Sequence, residues 1–284
     1  MQKTVSSIVK KFWFLFYPMY GLLSSFIFIN NVILRFFLYS ITTALIFILL
    51  RKKSPEIFLN KQRPSFKNVV EIIIFSWLAK NLAALLAVVI NIFFPVDLTI
   101  SDNPFSLWEQ FYLLFFVAPV VEEVYCRGIA LHGLLPFGTS FAFIVSSLIF
   151  SLPHLENPMV IVNAFFAGFV YSYAAYKYGI KWSILLHALS NAFSFFLSYV
   201  SDHDELVFII KNQRITVDSL ISSTLLLLTI LCFIYYTAKG IKNRAYIKEF
   251  WLQYRPNLNQ LLAIFKNPWL IGFIIFQIIQ LINQ

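Results

Sequence analysis

The sequence predicts an all-α, polytopic membrane bundle, and three observations predict it. The 284 residues are 60% hydrophobic and 12% charged, against about 45–50% apolar and roughly 25% charged in soluble domains. Apolar runs recur at about 20 residues, the length of a helix that crosses a bilayer. Lys and Arg gather in the short connections between those runs, where they orient a membrane protein. The net charge of +9 is therefore read as topology, and nucleic acid is not expected as a partner. No connection is long enough for a soluble domain, so 1–284 is taken as a single membrane domain.

The spans fall near 12–30, 32–50, 69–95, 108–135, 139–154, 158–177, 181–200 and 216–237. The first follows a basic start but is long and lacks a small-residue cleavage site, so it is read as a span and not a cleaved signal. A ninth candidate, 261–282, is interrupted by Lys266, Asn267 and Pro268 and fits an interfacial helix as well. With the basic connection it makes up a C-terminal region, 239–284. Orientation follows from charge. "RKKSPEIFLNKQRPSFK" (51–67) holds six basic residues against one acid, and "KGIKNRAYIKEFWLQYR" (239–255) five against one. The stretches 96–107 and 201–205 are acidic. Eight spans make these groups alternate, with the N-terminus cytoplasmic. Cys126 and Cys232 lie in apolar segments and form neither a disulfide framework nor a metal spacing.

Charges inside the spans are few: Arg35, Lys80, Glu122, Glu123 and Arg127. Each costs about 2.5–3.5 kcal/mol at a helix centre. Arg35 is expected to snorkel to an interface. Lys80 stands mid-span, either paired with a Glu or facing a wet cavity. The densest group is in "APVVEEVYCRGIALHG" (118–133). Glu123 and Arg127 are four apart and share a helix face, which suits an ion pair. Glu122 points about 100° away and is left over. An unpaired carboxyl in apolar surroundings tends to hold a proton, and one that titrates near neutral pH suits a general base. Pro119 removes an N–H, so the Phe115 carbonyl is expected to lose its partner and the helix to kink. A freed carbonyl at membrane depth favours a hydrated cavity. The bland reading of all three charges is a structural ion cluster between helices.

Two histidines follow on later spans. His154 stands four residues after Phe150 and just past Pro153, and His187 stands four before Asn191 on one helix face. Each alone is more simply an interfacial residue or hydrogen-bonding glue between helices. His132 and His203 are taken as non-catalytic.

In order, the pieces are E-E-x-x-x-R (Glu122, Glu123, Arg127), F-x-x-x-H (Phe150, His154) and H-x-x-x-N (His187, Asn191), on three different spans. This arrangement resembles the CPBP family: CAAX proteases of the Rce1 type, with bacteriocin-processing and immunity relatives. The resemblance covers roughly 108–200. It implies an intramembrane peptidase around a wet cavity. Glu122 and His154 would activate a water, His187 and Asn191 would stabilise the oxyanion, and Glu123 and Arg127 would hold the motif-bearing helix. The implied partners are a peptide or membrane-protein substrate, among them lipidated, bacteriocin or pheromone precursors. No cofactor is expected. Two His and a Glu suit zinc, but H-E-x-x-H is lacking and a metal-independent glutamate mechanism is the preferred expectation.

One difficulty is geometric. At 1.5 Å per residue, His154 lies about 22 Å along its span and His187 only about 9 Å along its own from the same side. Tilt, a short span ended by Pro153, or a deep cytoplasmic cavity would reconcile them. The other readings are a non-catalytic scaffold or immunity-type protein, a cysteine–histidine site at Cys126 that no motif supports, and an ion-coupled transporter using Glu122, Lys80 and His154. The transporter lacks the repeats or broken helices that such folds show.

Overall fold

The computed structural model describes residues 2–53, 62–93, 105–154, 158–202, 206–210 and 213–282. His203, most of the acidic connection 96–107, and parts of 51–67 and 201–205 lie outside these.

The apolar runs form helices: α1 (Gln2–Ser25), α2 (Val32–Lys53), α3 (Phe66–Phe93), α4 (107–134), α5 (Thr139–Ser151), α6 (Pro158–Tyr178), α7 (Ile180–Asp202), α8 (Val217–Lys242), α9 (Arg244–Tyr254), α10 (Leu258–Ile264) and α11 (Pro268–Ile282). Among the described residues, four stretches are long and apolar enough to cross a membrane: Val32–Leu49, Phe66–Leu86, Ile180–Val200 and Val217–Lys242. Large apolar side chains such as Phe37, Ile48, Leu85 and Phe233 point outward along them. That surface is a liability in water and the proper one in lipid.

The core lies around α4. Val5, Val9, Phe12 and Phe16 form a buried stripe on α1 at helical spacing, and Phe12 and Phe16 set their rings edge-on to Tyr125 of α4. Helices α5, α6 and α7 enclose the other side of α4. Gly179 makes the sharp passage from α6 to α7 with φ 101°, a left-handed value that suits glycine at a helix end.

Three sequence expectations change. The region 261–282 is not one helix; Pro268, at the first position of α11, separates it from α10, and α11 packs on α1 by stacking Phe273 on Trp13 at 3.5 Å. An antiparallel hairpin, β1 (Leu206–Ile210) with β2 (Gln213–Thr216), precedes α8 where only a loop was expected. Its first strand is "LVFII", an aromatic and β-branched run that favours extended backbone. Arg35 does not reach outward to an interface. It pairs with the buried Glu109 at 2.6 Å and donates to the Ile29 carbonyl at 2.9 Å. Glu109 in turn closes a capping box with Ser106 at the start of α4, so the pair ties the beginnings of α2 and α4 together.

Candidate active site

The motif-bearing helix α4 is not a regular α-helix. Residues Leu113–Val117 and Val124–Leu131 are wound as π-helix, on either side of a short α-segment that carries Pro119, Glu122 and Glu123. π-Segments widen a helix and recur at functional sites. Proline is the local cause of the first. Ala118 N–H bonds to the Leu113 carbonyl, five residues back. In that register the Leu114 carbonyl would need the N–H of residue 119, which is proline and has none. The freed carbonyl is thus Leu114, one residue before the Phe115 expected from α-helical spacing. It is satisfied from another helix: Asn191 Nδ2 donates to Leu114 O at 2.9 Å. The second π-segment is tied in the same manner, with Ser146 Oγ donating to the Cys126 carbonyl at 2.8 Å.

Glu123 is fully buried, and donors occupy both of its oxygens. Arg127 Nη1 and His187 Nδ1 each lie 3.0 Å from Oε1, and Ser183 Oγ donates to Oε2. The i,i+4 pair that the spacing suggested is therefore present, inside a larger network. Arg127 also donates through Nη2 to the Gly168 carbonyl at 2.8 Å and lies over the Phe150 ring at 4.4 Å. Such contacts hold a guanidinium in place as well as neutralising it. Gly168 permits the approach: a Cβ there would stand 3.0 Å from Arg127 Nη2, 3.0 Å from Phe150 Cδ1 and 3.3 Å from Ser147 Cα.

His187 joins the two glutamates. A carboxylate only accepts, so the ring nitrogen facing Glu123, Nδ1, is the one that carries hydrogen. Nε2 is thereby turned toward Glu122, whose Oε2 lies 4.0 Å away. That is too long for a direct hydrogen bond. Tyr171 stacks on the imidazole at 4.9 Å and 20°, and Phe150 meets it edge-on at 5.5 Å. The ring is fixed on both sides. Glu122 keeps a side-chain exposure of 20% while Glu123 has none.

His154 reaches this group through Phe150, its ring 5.9 Å from the phenyl that also touches His187. Helix α5 ends at Ser151 and turns through a 3₁₀ segment, Leu152–His154. Pro153 in that turn fits the short-span solution of the depth problem. His154 makes no hydrogen bond or ion pair with Glu122 in the structure, and its Nδ1 is buried without a partner among the described residues. Buried polar atoms are normally satisfied, so this nitrogen suits a water or a ligand. Cys126 is buried at 2% exposure within α4.

Glu122, Glu123, Arg127 and His187 thus form one group. Asn191 borders it from one turn further along α7, and His154 stands across the Phe150 ring. Sequence reading missed Ser183, Tyr171, Gly168, Ser146 and Glu109. Two of them leave a trace in the sequence: Ser183, His187 and Asn191 recur every four residues on α7, and S-x-x-E at 106–109 is a capping-box pattern.

Residues 104–193, about a third of the chain, match the family described as type II CAAX prenyl endopeptidase, Rce1-like. The match spans all three motifs, so the resemblance read from them holds over this region. No curated protein and no solved structure matches the chain.

Proposed function

We propose that the chain is a multi-pass intramembrane endopeptidase, its N-terminus cytoplasmic, that hydrolyses a peptide bond with a water held at Glu122. The observation that carries the reading is the unequal use of two adjacent carboxylates. Glu123 is held by Arg127, His187 and Ser183, while Glu122 is partly open and faces His187 Nε2 at 4.0 Å. A water lodged at ~2.8 Å from both atoms would subtend about 90° between them, and Glu122 would take its proton as it attacks. Glu123 orients the imidazole, as the buried acid does in a triad. In its doubly protonated form, with Glu123 as counter-ion, His187 presents Nε2–H to the oxyanion on the substrate carbonyl, and Glu122 passes the water's proton to the leaving amine as the C–N bond breaks.

Asn191 fits the same role. One N–H of its amide is held by Leu114, which fixes the amide plane and leaves the second N–H for the oxyanion. His154, with an unpartnered ring nitrogen, is placed to polarise the water or the leaving group from the far side of Phe150. The mechanism needs no metal, because base, proton carrier and oxyanion donors are all side chains.

The family match supports a CAAX-protease-type peptidase at the level of the class. Short peptides, lipidated chains and membrane-protein tails all suit a site at membrane depth. The test is to compare peptides released by wild type and Glu122→Gln in native membranes. The expected result is a set of products lost in the variant. Identical product sets would refute the reading.

A further inference from the structure

A groove runs between α3, α6 and α8, on the far side of α6 from the candidate active site. Tyr171 stacks on His187, whereas Phe166, Phe169, Val170, Tyr173 and Lys177 line the groove from the opposite face of the same helix. Its volume is about 870 Å³, toward the upper end of ligand cavities at about 300–1,000 Å³. The third wall, α8, buries none of its residues among the described ones, so protein does not fill the groove from that side. Two polar side chains in the walls turn back on their own helices. Asn81 Nδ2 donates to the Trp77 carbonyl at 2.9 Å, and Thr229 Oγ1 to the Leu225 carbonyl at 2.8 Å. The deep walls therefore offer mainly hydrocarbon.

Charge is confined to one end. The charged residues that line the groove are Glu71, in the second turn of α3, and Lys177, in the last turn of α6. Both stand beside basic connections read as cytoplasmic. Lys177 Nζ donates to Tyr173 Oη at 3.0 Å and lies over the rings of Tyr173 and Tyr178 at 5.5 and 5.4 Å. An ammonium only donates, so Tyr173 accepts here and its own hydrogen is left to give. Lysine and tyrosine thus present donors side by side. Glu71 has a cation at 4.0 Å, Lys239 of α8. Among the described residues no carboxylate lies within ion-pair distance of Lys177. The surplus charge at the mouth is therefore positive.

Depth separates the possible occupants. At 1.5 Å per residue the groove runs about 16.5 Å from Lys177 to Phe166 and about 21 Å from Glu71 to Leu85. One leaflet contributes about 15 Å of hydrocarbon, whereas a partner helix must cross all ~30 Å. The groove is nearer one leaflet deep. Basic pockets between spans on the cytoplasmic side suit anionic lipid headgroups.

We propose that this groove holds one anionic glycerophospholipid, its acyl chains along Phe75, Leu82, Phe166 and Phe233 and its phosphate on the donors of Lys177 and Tyr173. The site is separate from the one at Glu122 and stands whether or not the chain is a peptidase.

The test uses the full chain purified in detergent. The probes are phosphatidylglycerol, phosphatidylcholine and phosphatidylethanolamine with the same two acyl chains, and a phosphatidylglycerol carrying a photoactivatable diazirine in one chain. Native mass spectrometry counts the lipids retained, and cross-linking with peptide mapping locates them. The expected result is one phosphatidylglycerol per chain, held ~10-fold more tightly than either zwitterionic lipid, the discrimination of one charge-assisted contact. The label should fall on groove residues of α3, α6 and α8. Lys177→Met should remove the preference, and Lys177→Arg should keep it. Ala79→Trp, which puts bulk into the groove, should lower labelling there. Equal retention of the three lipids by wild type overturns the proposal and needs no variant to fold. So does label lying mainly outside the groove, or a preference that survives Lys177→Met. A dimer with the groove unlabelled overturns it in favour of a second copy. Displacement of the label by a farnesylated peptide overturns it in favour of a substrate's lipid.

Discussion

Changing each of the adjacent glutamates to glutamine should separate chemistry from architecture. Among the described residues Glu122 makes no hydrogen bond, and its nearest ionic neighbour is 4.0 Å away. Glu122→Gln is nearly isosteric, so stability should change by less than about 0.5 kcal/mol, as for substitutions away from packed or bonded groups. Activity should fall by ~10²–10⁴-fold, the usual contribution of a general base. Glu123→Gln should behave in the opposite way. One carboxylate oxygen becomes an NH₂, which can turn to Ser183, whose hydroxyl accepts, and leave the amide oxygen to Arg127 and His187; what is lost is the charge. Arg127, with no exposed side-chain surface, then keeps a buried charge without its counter-ion, which costs about 3–5 kcal/mol. The assay is reversible unfolding of both variants in mixed micelles, followed by circular dichroism, beside peptide release from membranes. Equal destabilisation by the two substitutions would falsify the division of labour, as would full activity in Glu122→Gln.

Three further outcomes are expected. Gly168→Ala should lower stability by ~1–3 kcal/mol through overpacking, because the new methyl meets Ser147 Cα as well as two side chains; a thermal melt unchanged from wild type would contradict it. Asn191→Asp removes the donor from the Leu114 carbonyl, and leaving that acceptor unmet costs about 1–3 kcal/mol; hydrogen exchange should rise at residues 113–119 in particular. Arg35→Met should cost about 3–5 kcal/mol by stranding the buried Glu109, and Arg35→Met with Glu109→Met should recover most of it in a double-mutant cycle.

The membrane class and the helical run order were legible because they depend on composition and length, which need no partners. The Glu123–Arg127 pair was legible because i,i+4 spacing is local. Its neighbours were not: Ser183 and the Gly168 carbonyl come from other helices, and a serine in an apolar span carries no mark of the carboxylate it meets. Arg35 was misread for the same reason, since Glu109 lies 74 positions away in the sequence and meets it only through packing. Pro119 predicted a freed carbonyl but named the wrong one. The α-helical count of four assumes a register that the proline itself disturbs, and the five-residue count in the structure moves the opening to Leu114.

That shift of register gives α4 a property beyond its chemistry. Each π-segment holds a residue more than an α-helix of the same rise would. Deleting one residue from 124–131 would let the coil close to ordinary winding with hydropathy and charge almost unchanged. It would also return the Cys126 carbonyl to a partner within the helix and so undo the tie from Ser146. Pro119 and the ties from Asn191 and Ser146 hold the surplus turns open. The helix is thus sensitive to length as well as to identity, and a single deletion there is expected to do more harm than many substitutions.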